Sequence, residues 1–144
     1  MAEALSPAEW EVMRVVWTKN TASTTDIVAV MQQKRDWAES TIKTLLRRLV
    51  AKQALTTSKQ GRQFIYTPQI QEQPAMKEAA ENLFASLCDM KKGAVLADLL
   101  QTTTLSQADI QQMQIILAHK AQTAPKQVAC NCLGDCNCEG GDAS

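Results

Sequence analysis

With 15 basic and 15 acidic side chains in 144 residues, the chain is formally neutral and has room for one compact domain or two small ones. It holds one histidine, no Ser/His/Asp or Cys/His set that can be placed, and no glycine-rich phosphate loop, which argues against an enzyme. No signal-peptide pattern and no apolar run of membrane-spanning length is present, so a cytosolic protein is expected.

The neutrality is the sum of unequal parts. Residues 1–70 carry ten Lys/Arg against six Asp/Glu, a net +4. Residues 71–129 come to −1 and residues 130–144 to −3. A basic amino-terminal part, a nearly neutral middle and an acidic end suggest separate tasks, and +4 is compatible with nucleic-acid binding.

Ser6-Pro7-Ala8-Glu9 reads as a helix start: Ser6 caps, Pro7 sits where its missing N–H costs nothing, and Glu9 closes a capping box. Trp10, Met13, Val16 and Trp17 follow at helical spacing through about Lys19. Ser23-Thr24-Thr25-Asp26 opens a second helix with Ile27, Val30 and Met31 directed inward. A third helix is expected from about Ala38 to Lys52, with Ile42, Leu45, Leu46 and Leu49 on its apolar face.

On the opposite face, Ser40, Lys43, Thr44 and Arg47 form a stripe of hydroxyls and cations suited to phosphate oxygens and base edges in a major groove. Alone, such a stripe is more often a solvated helix face. The next stretch of chain changes that balance. Leu55–Lys59 and Arg62–Thr67 are short β-prone runs around Gln60-Gly61, closed by Pro68, and predict a hairpin with Lys59 and Arg62 near its tip. Three helices and a basic-tipped hairpin have the order of a winged helix-turn-helix, whose third helix enters the major groove.

Residues 71–121 predict three amphipathic pieces. The first carries Met76, Ala80, Leu83, Phe84 and Leu87, and the second Val95, Leu96, Leu99 and Leu100. The third starts at Ser106-Gln107-Ala108-Asp109 and buries Ile110, Met113, Ile116 and Leu117. Helices of this size make a poor core alone and are better satisfied against a second copy, as a two-fold DNA-binding dimer requires. Cys88 is expected in the core as a small hydrophobe. His119, near the end of the last piece, is expected to serve the helix dipole rather than a metal.

The tail carries Cys130-Asn131-Cys132-Leu133-Gly134-Asp135-Cys136-Asn137-Cys138, four of five cysteines within nine positions. In a reducing compartment the pattern favours metal over disulfide, and thiolates select Zn(II), Cu(I) and their heavier relatives. The expected architecture is mainly α: a winged helix-turn-helix DNA-binding domain over residues 1–70, a helical dimerisation region over 71–123, and a short unstructured Cys-rich metal-binding tail over 124–144.

Two strings carry a family likeness. Trp10-Glu11-Val12-Met13-Arg14-Val15-Val16-Trp17 and Ser40-Thr41-Ile42-Lys43-Thr44-Leu45-Leu46-Arg47-Arg48-Leu49 resemble the BlaI/MecI family of winged-helix repressors, a likeness that covers about residues 5–120. With the doubled Cys-x-Cys added, the chain resembles the CopY-type copper-responsive repressors. The resemblance implies a homodimer on an inverted-repeat operator of copper-homeostasis genes, repressing with Zn(II) bound and released by Cu(I), for which a copper chaperone is the candidate donor. It places DNA contacts on Ser40, Thr41, Lys43, Thr44 and Arg47, and metal ligands on Cys130, Cys132, Cys136 and Cys138. The spacer between the Cys-x-Cys pairs is three residues here, Leu133-Gly134-Asp135, where such proteins usually have four, which bears on cluster geometry. The β-lactam-responsive members are released by cleavage at an Asn-Phe pair; the matching place here reads Asp98-Leu99, so release by proteolysis is the weaker reading. A cytosolic soft-metal buffer or copper carrier, or a repressor induced by another thiophilic metal, remain as alternatives.

Overall fold

A computed structural model describes residues 4–132. The chain divides into two units, residues 1–80 and 81–144.

In the first unit, helix α1 (Pro7–Lys19) begins with the complete capping box: the Ser6 hydroxyl accepts from Glu9 N at 3.2 Å, and Ser6 N donates to the Glu9 carboxylate. Strand β1 (Ala22–Ser23) is only two residues long and leads directly into helix α2 (Thr24–Lys34), where the Ser23 hydroxyl accepts from Asp26 N at 3.1 Å. Helix α3 (Glu39–Ala51) lies between Ala38 and Lys52, close to its expected bounds. It ends in a Schellman arrangement: Ala54 N donates to Leu49 O and Gln53 N to Val50 O, with Gln53 at φ 63° where glycine is usual.

Strands β2 (Leu55–Gln60) and β3 (Gln63–Pro68) form the antiparallel hairpin, and β1 joins the free edge of β3 to give the order β1-β3-β2. The turn falls one residue later than expected, on Gly61-Arg62 rather than Gln60-Gly61. Gln60 pairs with Gln63, which leaves a two-residue loop whose first position, Gly61, has φ 63°. That is the position a type II′ turn reserves for glycine. Arg62 is therefore in the turn itself, at the tip of the wing.

The core of this unit collects Val12, Met13, Val15 and Val16 from α1, Ile27 and Met31 from α2, and Ile42, Leu45, Leu46 and Leu49 from α3, closed by Ala22, Ala54 and Leu55. All four expected α3 residues are buried. Trp10, Trp17 and Val30 are only half-buried, and Val12 and Val15 take the places that the spacing gives to the tryptophans. Trp17 still fastens the far end of the wing, its indole N–H donating to Ile70 O at 2.9 Å. Glu9 is buried to 2% exposure and is held by Lys52 Nζ at 2.7 Å, a pair that ties the start of α1 to the end of α3.

Helix α4 (Glu72–Ala85) contains the division between the units. The second unit continues through a 3-10 turn (Asp89–Lys91), helix α5 (Lys92–Thr102) and helix α6 (Gln107–Ala121). The capping box expected at Ser106 is complete, with Asp109 N donating to the serine hydroxyl and Ser106 N to the Asp109 carboxylate, both at 3.1 Å. The expected burial along α6 is not found within one chain. Ile110, Ile116 and Leu117 are 41–56% exposed, and α4, α5 and α6 contain no buried residue. Among the described residues, nothing buries their apolar faces. No helix among the described residues is long and apolar enough to cross a membrane.

Candidate functional site

Two places concentrate chemistry, one in each unit. In the first, α3 buries its leucine face, and the helical period therefore leaves Ser40, Thr41, Lys43, Thr44 and Arg47 exposed on the other side. Lys43 is bonded to Glu39 at 2.8 Å, one turn back, and the Thr44 hydroxyl donates to Ser40 O at 2.9 Å. Lys43 and Arg47 border a cleft of about 900 Å³, whose other walls include Thr24 and Thr25 at the start of α2 and Arg62 of the wing. Lys59 lies 6.0 Å from the ring centroid of Phe64, its partner across the hairpin. Sequence reasoning does not single out Thr24 and Thr25, which line this cleft just after the Ser23 cap at the start of α2.

The second place is a thiol cluster. Cys88, just after α4, has its Sγ 3.6 Å from that of Cys130, and the sulfurs of Cys88, Cys130 and Cys132 all lie within 4.8 Å of one another. Cys88 is thus not the core residue expected from its apolar spacing. It is half-exposed, because the chain turns at the end of α4 and its thiol meets Cys130, 42 positions later. Cys136 and Cys138 lie outside the described residues. His119 is exposed in the last turn of α6.

The immediate surroundings of the thiols are polar. Cys132 N donates to Cys130 Sγ at 3.3 Å, and Asp89 N donates to Asn131 Oδ1 at 2.9 Å, so the residue between the two cysteines is itself bonded to the turn that follows Cys88. Desolvation opposes ionisation of Cys88, but hydrogen bonds from Cys130 and Cys132, helped by the Met90 and Lys91 backbone, outweigh it and lower its pKa. Cys132 shows the opposite effect. Its hydrogen bond to Cys130, then that to Cys88, stabilise the protonated form and push it up to about 11.

This donor set fits a soft cation. At a metal–sulfur distance of about 2.3 Å, sulfurs stand about 3.8 Å apart around a tetrahedral ion, and about 4.0 Å apart in a trigonal plane. Even three sulfurs at the 4.8 Å limit would each need to move inward by only about 0.5 Å to reach that distance.

The sequence signature of the penicillinase repressor family matches residues 5–119, from before α1 through the α3 stripe and the wing into the last turn of α6. The chain belongs to that family, the BlaI/MecI repressors. Its members are transcriptional repressors with a winged-helix DNA-binding domain, and not enzymes. The penicillinase repressor of Bacillus licheniformis is 31% identical over 117 residues, covering 81% of this chain and 91% of that one. An uncharacterized 16.5 kDa protein in the ptsI 3′ region of Latilactobacillus sakei is 52% identical over 136 residues, 94% of this chain and 93% of that one. Among solved structures, that of the CopR repressor is 43% identical across 48% of this chain and all of its own, with a TM-score of 0.42.

Proposed function

We propose that this member of the penicillinase repressor family is a cytoplasmic, metal-responsive repressor. In this reading a zinc-loaded homodimer holds an inverted-repeat operator of copper-homeostasis genes, and Cu(I) releases it by displacing Zn(II) from Cys130, Cys132, Cys136 and Cys138. The observation that carries the metal reading is the thiol cluster, where Cys130 and Cys132 stand at spacings an ion of this class accepts. Repressors released by proteolysis have no use for such a donor set.

On the DNA side, Ser40, Thr41, Lys43, Thr44 and Arg47 would enter the major groove while Lys59 and Arg62 meet the flanking backbone. The exposed faces of α4–α6 support a dimer: Met76, Leu83, Leu96, Leu99, Ile116 and Leu117 are 46–62% exposed, and a second copy would cover them. A dimer is also what an inverted repeat selects.

When bound, zinc would supply a near-tetrahedral shell and so a defined tail geometry. The chain's own part is to bring the sulfur donors together, Cys132 N donating to Cys130 Sγ and Asp89 N to Asn131 Oδ1.

The test is anisotropy of a labelled inverted-repeat operator taken from upstream of copper-export genes, with zinc-loaded protein titrated anaerobically with Cu(I). Release near two Cu(I) per chain, with zinc freed, is expected. Binding that ignores copper but answers cadmium or silver would transfer the inducer role to that metal. Absence of operator binding in every metal state would overturn the repressor reading in favour of a soft-metal buffer or carrier.

A further inference from the structure

The four tail cysteines account for the metal reading on their own, yet a fifth thiol from a distant stretch of chain stands beside Cys130 and Cys132. We infer that Cys88 is a ligand of the soft-metal site, so that the ion is held between the tail and the α4–α5 corner rather than by the tail alone. This rests on the metal reading above and deepens it.

Two contacts and one further thiol bring the two segments together. The Cys88 and Cys130 sulfurs are 3.6 Å apart, close to the about 3.8 Å separation of thiolates on one tetrahedral ion. All three sulfurs, including that of Cys132, fall within one small triangle. The intervening residue is also docked, since Asn131 Oδ1 accepts from Asp89 N at 2.9 Å on the residue next to Cys88. A buried structural cysteine would have apolar neighbours. Cys88 has two other thiols, and it is part-exposed, open to an entering ion.

The chemistry selects the class of ligand. The described cluster contains sulfur and no carboxylate within its triangle, which disfavours Mg(II), Ca(II) and Mn(II) and favours closed-shell soft ions such as Zn(II), Cd(II) and Cu(I). Three thiolates already suit a trigonal Cu(I) site.

The position of Cys88 gives the site a mechanical consequence. It follows α4 and precedes the 3-10 turn and α5, whose Leu96, Leu99 and Leu100 are exposed. An ion bonded to Cys88 makes the conformation of this corner depend on the number and geometry of the thiolates it demands.

The experiment is differential alkylation of the full-length wild-type chain, kept reduced and anaerobic, with and without one equivalent of Cd(II), each cysteine read by mass spectrometry. Cd(II) is expected to slow alkylation of Cys88 at least tenfold, together with Cys130 and Cys132. If Cys130 and Cys132 are protected while Cys88 reacts at its metal-free rate, the inference fails and the metal site of the tail stands. If no cysteine is protected, both readings fail. A second measurement separates ligation from shielding. In Cys88→Ser, Cd(II) affinity is expected to fall at least tenfold in chelator competition, and the thiolate-to-Cd(II) charge-transfer spectrum to change with the ligand set. Unchanged affinity and spectrum would overturn the assignment.

Discussion

The sharpest test of the α3 stripe is the double substitution Lys43→Ala plus Arg47→Ala. Both side chains are exposed one turn apart on the face opposite the buried leucines, and both border the cleft that Arg62 completes. An arginine that reads a base edge is worth about 1–3 kcal/mol. Lys43 contributes less, about 1 kcal/mol, because Glu39 at 2.8 Å already neutralises part of its charge. A dimer presents each residue twice, so the expected loss is about 4–8 kcal/mol, roughly a thousandfold or more in affinity. That covers most of the about 4–10 kcal/mol that separates specific from non-specific binding. Operator anisotropy over a salt series reads both parts: affinity collapses, and the two lost Lys43 phosphate contacts flatten the log–log salt slope by about 1.8. Glu39→Gln should act in the opposite direction, tightening DNA binding several-fold by freeing Lys43 and removing an anion from the groove. Binding by the double variant within threefold of wild type, in a chain whose circular dichroism is unchanged, would refute the assignment of this face to DNA.

Other expectations concern stability and assembly. Lys52→Met takes the cation from the almost fully buried Glu9, which should cost about 3–5 kcal/mol in urea unfolding; Glu9→Gln added to it should recover part of the loss. Leu99→Glu puts a charge on the exposed apolar face of α5 and should shift sedimentation from dimer to monomer while lowering operator affinity, leaving the fold of the first unit intact. Asp109 has its pKa lowered by the hydrogen bonds of Ser106, so its contribution to capping α6 is complete above the ordinary carboxylate value of 3.8 and is lost as pH falls through the lower folded value. A carboxyl NMR titration should show that depressed midpoint, and Ser106→Ala should return it toward the ordinary one.

Much of the first unit is legible because its signals are local. The leucines of α3 recur at one period and all four apolar positions are buried. The serine caps of α1, α2 and α6 each announce a helix within four residues, and each bonds as its sequence suggests. The features that escape a sequence reading depend on long-range contacts. Strand β1 is too short to show alternation and exists only because β3 offers it an edge. The burial of Glu9 needs Lys52, 43 positions away. Cys88 illustrates the limit best, since its spacing on an apolar helical face is real and the chain turns just before it. Likewise the apolar period of α6 correctly marks a face that seeks cover, but period alone does not say whether the cover comes from the same chain.

The proposed exchange places a physical demand on the second unit. One Zn(II) and two Cu(I) bring the same charge of +2 to a shared set of thiolates, so repulsion from DNA cannot be the signal and geometry must be. Taking a two-state population from almost fully bound to almost fully free requires about 5.5 kcal/mol of differential binding. Shifts of a few tenths of an ångström in sulfur spacing do not supply this by themselves; they must tip an element that packs in two ways. At about 25 cal/mol per Å² of apolar surface, 5.5 kcal/mol corresponds to about 220 Å² gained or lost, the area of one or two large side chains. Leu96, Leu99 and Leu100 are 43–50% exposed on the helix that begins four residues after Cys88. Repacking of part of that face across the dimer is enough to carry the signal, provided the ion is attached to the corner from which α5 departs. A tail that bound its metal alone would have no such lever, and it is for this reason that the position of Cys88 matters to regulation as well as to coordination.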